Sequence, residues 1–417
     1  MLAPAKYQKF LSYITGWFAV LGWQTTFTAC AFLAGTMIQG AAILSSSAYH
    51  ALSWHGTLLT WASLVCALGA NLVGGSLLPR IETIVLVMHV LGFLGIVIPL
   101  AYMSDHKSKE EVFLEFHNKF PTQGLSWFIG MTSCAFSFAG GDAAVHMAEE
   151  VENPSRVIPR AMMLSVVVNG CLGFGMLIVT LFCEGNLEAA IHSATGYPFM
   201  EIFYQTTNSV PGALAMCSIV LIIQCSAIIG VLAAASRQLW SFARDKGVPG
   251  WQWLKQVSHY RSLPLWAIYL TVLISSMLAL INIGSSVALD DILSMAVSGL
   301  YLSYLVVLVM LLYRRLKGDI SVCDDSKDGI VNMPGAKLVW GSFYCPGVYG
   351  ILINIIAVLY TMLVVFFSFW PSKMSPDVRE MNWSVVGIGG TSVLAIVYYF
   401  IHARHIYTGP VIEVSIN

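Results

Sequence analysis

The sequence predicts an all-α polytopic membrane protein, one membrane domain over residues 1–417 with about ten transmembrane helices. Three observations carry this. The chain is 57% apolar and only 10% charged, whereas a soluble domain carries about 25% charged residues, and the mean hydropathy is +0.74. The apolar residues fall in runs long enough to cross about 30 Å of hydrocarbon, which takes about 20 residues of helix. These runs do not alternate with period two, as barrel strands would. Third, the basic residues are distributed unevenly between the connections. The composition excludes a disordered chain and an ordinary soluble enzyme. The net charge of −1 leaves no basic field for a polyanion, so no nucleic-acid partner is expected.

The expected spans are 12–39, 55–78, 81–102, 125–149, 161–184, 211–238, 264–284, 288–313, 347–370 and 383–403. The opening stretch MLAPAKYQKFLSYITGW lacks the short apolar core and small-residue cleavage site of a secretory signal. Spans two and three are separated only by a tight Leu-Pro-Arg turn at 78–80. The longest connections are 103–124, 185–210, 239–263 and 314–346. Residues 184–207 have mixed polarity and suit a short helix lying on the outer surface. The nine cysteines form no CxxC pair and sit mostly in apolar runs, so they read as small core residues rather than a disulfide framework or a zinc site. No metal site and no cofactor is expected.

Orientation follows from the lysines and arginines. With the N-terminus in the cytosol, sixteen of the 21 basic residues fall on the cytosolic side. Five fall outside: Lys107, Lys109, Lys119, Lys373 and Arg379. Ten crossings then place both termini in the cytosol. Charge bias does not separate the plasma membrane, the expected location, from the vacuolar membrane as an alternative. Beyond the lipid bilayer and a small solute, the sequence indicates no partner and no oligomeric state.

Most carboxylates lie at span ends, including Glu82, Glu184, Asp290 and Asp291. Asp142 is different. It lies about 17 residues into the fourth span, directly after Gly140 and Gly141 and behind Phe136 and Phe138. Paired glycines weaken a membrane helix, and irregular backbone survives at depth only where it lines a cavity. A carboxylate there either N-caps the helix that restarts after the break or meets a cationic group of a substrate. The two phenylalanines are either packing or part of an aromatic cage for an ammonium. His89, mid-span, either titrates near neutral pH or is a neutral histidine bonded to a carbonyl. His146 follows Asp142 at i+4, close enough to touch it on one helix face. Gln224, Ser226 and Ser236 in the sixth span are helix-to-helix hydrogen-bonding residues or pathway lining. No GxSxG, HExxH, Walker loop or strand-linked GxGxxG occurs, so no enzyme is expected.

The run SFAGGDAAVHMAEEVENPSRVIPRAM (137–162) resembles the segment that follows the sixth helix in amino-acid permeases of the amino acid–polyamine–organocation superfamily. APAKYQKFLSYITGWFAVLGWQ is similar to the third helix of the fungal amino acid/choline transporter branch, and SRQLWSFARDKGVP (236–249) to the end of its eighth. The resemblance implies a leucine-transporter-like fold of two inverted five-helix repeats plus two helices, with the ten spans here corresponding to the third through twelfth and the first two absent. It implies a secondary active permease for amino acids or related small amines such as choline or GABA, driven by a proton gradient through alternating access. The alternative is a non-transporting, shortened permease or membrane sensor. By resemblance Phe138, Ala139, Gly140, Gly141 and Asp142 face the substrate. Trp23, Gln24, Gln224 and Ser226 are weaker candidates for the facing walls, and Phe136, as one of the aromatic pair, is a further substrate-binding candidate. Proton coupling falls to His89 or Asp142. Glu149, Glu150, Arg156 and Arg160 are candidates for a cytosolic ion-pair gate, or are ordinary interface charges beside the turn set by Pro154 and Pro159.

Overall fold

A computed structural model describes residues 1–46, 48–73, 78–116, 120–259, 262–285, 287–322, 332, 336–371, 373–378 and 380–409. Cys323 and four of the basic residues used for orientation (Lys119, Arg261, Lys327 and Arg379) lie outside the described residues, as do residues 74–77 of the second expected span.

Long helices dominate: α1 (Gln8–Ser45), α2 (Ser53–Val73), α3 (Leu78–Met103), α4 (Gln123–Ser137), α5 (Pro154–Cys183), α6 (Val210–Arg244), α7 (Leu265–Leu278), α8 (Ala288–Lys317), α9 (Gly347–Ser368) and α10 (Ser384–Tyr398). Among the described residues, nine helical segments are long and apolar enough to cross a membrane. The fourth expected span is not a continuous helix. It stops at Ser137, turns through residues 138–142, and restarts as Ala143–His146 followed by the 3-10 turn Ala148–Glu150. The glycine pair accounts for the interruption: Gly140 has φ +83°, a left-handed conformation that side chains with a Cβ resist.

Residues 78–80, expected as a turn, are instead the first residues of α3. Pro79 is tolerated there because the first helical amides have no partner within the helix. The 184–207 connection holds two short helices, Leu187–Ile191 and Pro198–Thr207. Met200 and Phe203 of the second are buried in a cluster with Leu100 of α3 and Cys217 of α6, so this segment is packed into the bundle end. The expectation that the cysteines are core residues fails for most of them. All eight described cysteines are free, and only Cys183 and Cys217 are buried. Cys66, Cys134, Cys171, Cys225 and Cys345 are exposed on the protein surface, where a thiol in a spanning segment meets lipid as readily as another helix does.

Helix α1 is the central column. At about 1.5 Å per residue its 38 residues run about 57 Å, longer than the hydrocarbon is thick, so it crosses with a tilt or with its ends standing beyond the apolar layer. Its middle is rich in small residues, which lets neighbouring backbones approach. A Cβ built on Gly35 would collide with the Thr60 amide nitrogen of α2, and one on Gly22 would stand 2.6 Å from the Leu300 amide nitrogen of α8. The main core cluster forms around this column, with Trp23, Phe27 and Ala31 of α1 against Leu64 of α2, Leu232 of α6 and Leu300 of α8. Buried polar side chains tie the same helices. Gln24 donates to Thr271 Oγ1 of α7 at 3.0 Å, and Thr28 donates to Ser275 Oγ at 2.8 Å. Trp61 Nε1 of α2 donates to the Ser276 carbonyl at 3.0 Å.

Candidate functional site

The break between α4 and Ala143–His146 is held in place by α8. Tyr301 Oη donates to the Ala135 carbonyl at 3.2 Å, and Tyr304 Oη donates to Asp142 Oδ1 at 2.5 Å. These tyrosines are three residues apart and so project from one face of α8. One clamps the last turn of α4 and the other the carboxylate beyond the break. From α1, Trp23 Nε1 donates to Asp142 Oδ2 at 3.3 Å. His146 Nε2 lies 3.1 Å from the same oxygen and edge-on to the Trp23 ring, with centroids 5.3 Å apart. A Cβ on Gly140 would stand 3.4 Å from Trp23 Cη2, so indole and broken backbone are in close approach. Asp142 is thus the junction of α1, α8 and the broken segment.

The capping reading of Asp142 does not hold in this geometry. It directly precedes the Ala143–His146 helix, yet its side chain makes no capping hydrogen bond. The carboxylate turns sideways to Trp23, Tyr304 and His146 instead. Phe136 and Phe138 do not form one cage either. Phe136 packs inward against the core. Phe138 is half exposed, its ring 3.6 Å from where a Gly170 Cβ of α5 would be. The aromatic groups that meet Asp142 are Trp23 and Tyr304.

The remaining candidates scatter. Gln24 is buried beside Trp23, but its amide serves Thr271, and its Oε1 has no partner. Gln224 Nε2 donates to the Cys30 carbonyl at 3.0 Å, two turns of α1 from Trp23, so it joins α6 to α1. Ser226 donates back to the Ile222 carbonyl of its own helix at 2.8 Å, as does Ser236 to Ala233 at 3.1 Å. His89 is half-buried on α3. It makes no hydrogen bond among the described residues and is not one of the groups around Asp142.

The gate residues pair differently from expectation. Glu149 and Glu150 are ion-paired, but to α6. Arg237 Nε and Nη2 donate to the two oxygens of Glu150 at 2.5 and 3.1 Å, and Arg244 Nη2 and Nη1 donate to Glu149 at 2.7 and 3.2 Å. Such forked pairs are the geometrically specific form of the Arg–carboxylate interaction. Arg156 and Arg160 are exposed on α5 and form no ion pair among the described residues. Helix geometry explains the choice. Arg237 and Arg244 are seven residues apart and so lie on one face of α6, two turns long, beside two adjacent glutamates. The two ends of the inner pair differ in exposure, 10% for Arg237 and 56% for Glu150. Removing Glu150 strands a nearly buried cation, while removing the Arg237 charge leaves a solvated carboxylate. Glu150→Ala is therefore expected to lower thermal stability in detergent by about 1–2 kcal/mol more than Arg237→Met, measured as paired unfolding curves.

Two cavities flank the site. One of about 360 Å³ runs between α1, α4, α8 and α9, from Asp290, Asp291, Glu380 and Asn382 at its mouth down to Phe136 and Ser137 at the end of α4. Lys373 pairs with Glu380 at 2.5 Å, and the Trp383 amide donates to Asp291 at 3.0 Å. The other, about 420 Å³, lies at the opposite bundle end between α1, α6 and α8 and is lined by none of the expected site residues. Tyr407 lies in its wall and donates to or accepts from Ser12 at 2.7 Å. Burial pushes its phenol up to about 12.

Tyr304→Phe tests the junction with little change of shape. A buried hydrogen bond to a charged acceptor is worth about 1.5–3 kcal/mol, so the variant is expected to unfold at about 2 kcal/mol lower stability in detergent. Unchanged stability would mean that the 2.5 Å contact carries no net energy.

Sequence reasoning missed Tyr304. Nothing in the sequence singles it out, since the nearby Gly299 marks the close approach to Gly22 of α1 and not the direction of the tyrosine. Arg237 and Arg244 stand inside the run SRQLWSFARDKGVP, but nothing in the sequence connects them to the glutamates.

Comparison with known proteins agrees with this architecture. The family model described as amino acid permease matches residues 2–391. A Macrophomina phaseolina protein provisionally named an amino acid/polyamine transporter is 28% identical over 386 residues, covering 92% of this chain and 82% of that protein. The choline transporter of Saccharomyces cerevisiae is 28% identical over 403 residues, covering 95% of this chain and 68% of the relative. An uncharacterized amino-acid permease of Schizosaccharomyces pombe is 25% identical over 426 residues, covering all of this chain and 74% of the relative. With helices built to cross a bilayer and a family match over nearly its whole length, this chain is an integral multi-pass membrane protein of the amino acid permease family, a transporter and not an enzyme.

Proposed function

We propose that this chain moves a small amine, an amino acid or a compound such as choline or GABA, and that Asp142 meets the amine's positive charge. The observation that carries the reading is the placement of Asp142. It is a carboxylate on a broken helix, presented to the indole of Trp23 and the phenol of Tyr304 by two packed helices. An ionisable group at membrane depth is costly, and such groups mark solute or ion pathways. A carboxylate beside aromatic faces is what an ammonium group needs. The names of the relatives, a choline transporter among them, support the same substrate class.

In this reading the protein works by alternating access around the broken segment, coupled to protons, with its termini in the cytosol and the plasma membrane as its site. The cavity that reaches Phe136 is the outer approach, and the acidic residues at its mouth favour cations. The Glu149–Arg244 and Glu150–Arg237 pairs close the cytosolic end and must part when the site opens inward. The test is uptake of labelled choline, GABA and lysine by cells that lack their own amine permeases, with surface expression matched to an empty control. Saturable uptake of at least one is expected. Uptake of none by a chain that reaches the membrane would overturn the proposal.

A further inference from the structure

A carboxylate accepts about four hydrogen bonds, and the protein fills three of these positions on Asp142. Two come from neutral donors on long packed helices, Tyr304 on α8 and Trp23 on α1. The third, His146 Nε2 at 3.1 Å, is of another kind. It rides on the short helix that Asp142 directly precedes, one turn away, and is the one donor of the three that can carry a positive charge. An ionised carboxylate only accepts, so Nε2 must bear the proton in this contact. The second ring nitrogen, Nδ1, has no partner among the described residues and is open to protonation.

We infer that protonated His146 is an internal competitor for the substrate, an imidazolium that occupies the Asp142 carboxylate until an incoming ammonium displaces it. This rests on the amine reading of Asp142. The exchange balances without any covalent step. The ammonium enters, His146 gives one proton to water and moves off Oδ2, and Asp142 stays ionised, so the net charge of the site is unchanged. Trp23 remains to offer its ring face to the cation.

The surroundings leave this exchange to the pair. From α6, Arg237 is tied to Glu150 and Arg244 to Glu149. From α5 come Arg156 and Arg160, both exposed. From α8 come Tyr301, which donates to the Ala135 carbonyl, and Tyr304 itself. From α1 the neighbour is the uncharged Trp23. The 3-10 turn contributes Glu149 and Glu150, each held by its arginine. Asp142 is the one carboxylate within hydrogen-bond distance of His146 among the described residues.

Choline is the decisive probe because its quaternary ammonium has no proton to lose. Any pH dependence of its affinity therefore belongs to the protein. With the purified full chain in detergent, the apparent Kd for choline is expected to fall about tenfold per unit rise in pH for as long as the imidazolium holds the site, then level off. In weak buffer on that acidic limb, about one proton should appear per choline bound. His146→Gln retains a donor but cannot titrate, so its choline affinity should be flat across the same range. A pH-independent affinity in the unaltered chain, no proton release, or an unchanged slope in His146→Gln would overturn this inference and leave the amine reading standing. Failure of the unaltered chain to bind choline, GABA or lysine would overturn both. The proton count needs no variant, so it decides the matter even if His146→Gln does not fold.

Discussion

Asp142→Asn is expected to abolish most amine uptake while leaving the protein folded and at the cell surface. Asparagine keeps the size of the side chain, and its one oxygen can still accept from Trp23 while its NH2 donates to the Tyr304 hydroxyl, but it cannot balance a positive charge. Removing one partner of a desolvated charge pair costs at least about 2 kcal/mol, which is a fall of about 30-fold or more in uptake at substrate concentrations below saturation. The loss should be visible in the ratio of maximal rate to half-saturation, with surface labelling as the control. Uptake within a factor of two of the unaltered chain would mean that the carboxylate only positions the broken segment. The three hydrogen bonds to Asp142 make that distinction meaningful, since a purely positioning role would be largely met by asparagine.

The second large effect belongs to the crossing of α1 and α8. A Cβ on Gly22 would stand 2.6 Å from the Leu300 amide nitrogen, and one on Gly299 would stand 2.8 Å from the Gly22 Cα and nitrogen. Both obstacles are backbone, so no side chain can swing away, and the helices must separate. Trp23 follows Gly22 directly, and Tyr304 lies little more than one turn beyond Gly299. Separation therefore also strains both long-helix contacts to Asp142. Overpacking costs about 1–3 kcal/mol and the hydrogen bonds add to it, so Gly22→Val or Gly299→Val should lose about 3 kcal/mol or more, seen as a lowered unfolding temperature and aggregation in detergent. The alanine variants offer a finer check. Once the first Cβ has pushed the helices apart the second has room, so the double Gly22→Ala, Gly299→Ala variant should cost less than the two single losses combined. Strict additivity would mean that the two glycines do not share one contact.

Helices of this length are legible in a sequence because hydrocarbon thickness fixes the size of the apolar run. The break in the fourth span is legible too, since a glycine pair followed by a carboxylate, Gly140-Gly141-Asp142, does not suit a continuous helix facing lipid. Side-chain direction is not. A residue at a helix restart has several routes for its carboxylate, and only the approach of α1 and α8 decides that Asp142 turns to Trp23 and Tyr304 rather than capping the helix it precedes. The same limit explains the arginine partners of Glu149 and Glu150. Arg156 and Arg160 are nearer in sequence, but α5 leaves from the turn with both exposed, while α6 returns from some 90 residues later with Arg237 and Arg244 on the facing side. Ser226 shows the opposite outcome: a hydroxyl in a membrane helix satisfies itself on its own backbone and so carries no long-range information.

The central claim is that Asp142 reads positive charge, and a pair of isosteres tests it most directly. Choline and 3,3-dimethylbutanol have nearly the same shape and differ in the charge of one atom. Competition by each against the labelled substrate should be measured on the unaltered chain and on Asp142→Asn. The account predicts that choline competes at least about 30-fold better than the neutral alcohol in the unaltered chain, and that the gap collapses toward one in the variant. Equal competition by the two in the unaltered chain, or a gap that survives in Asp142→Asn, would contradict it.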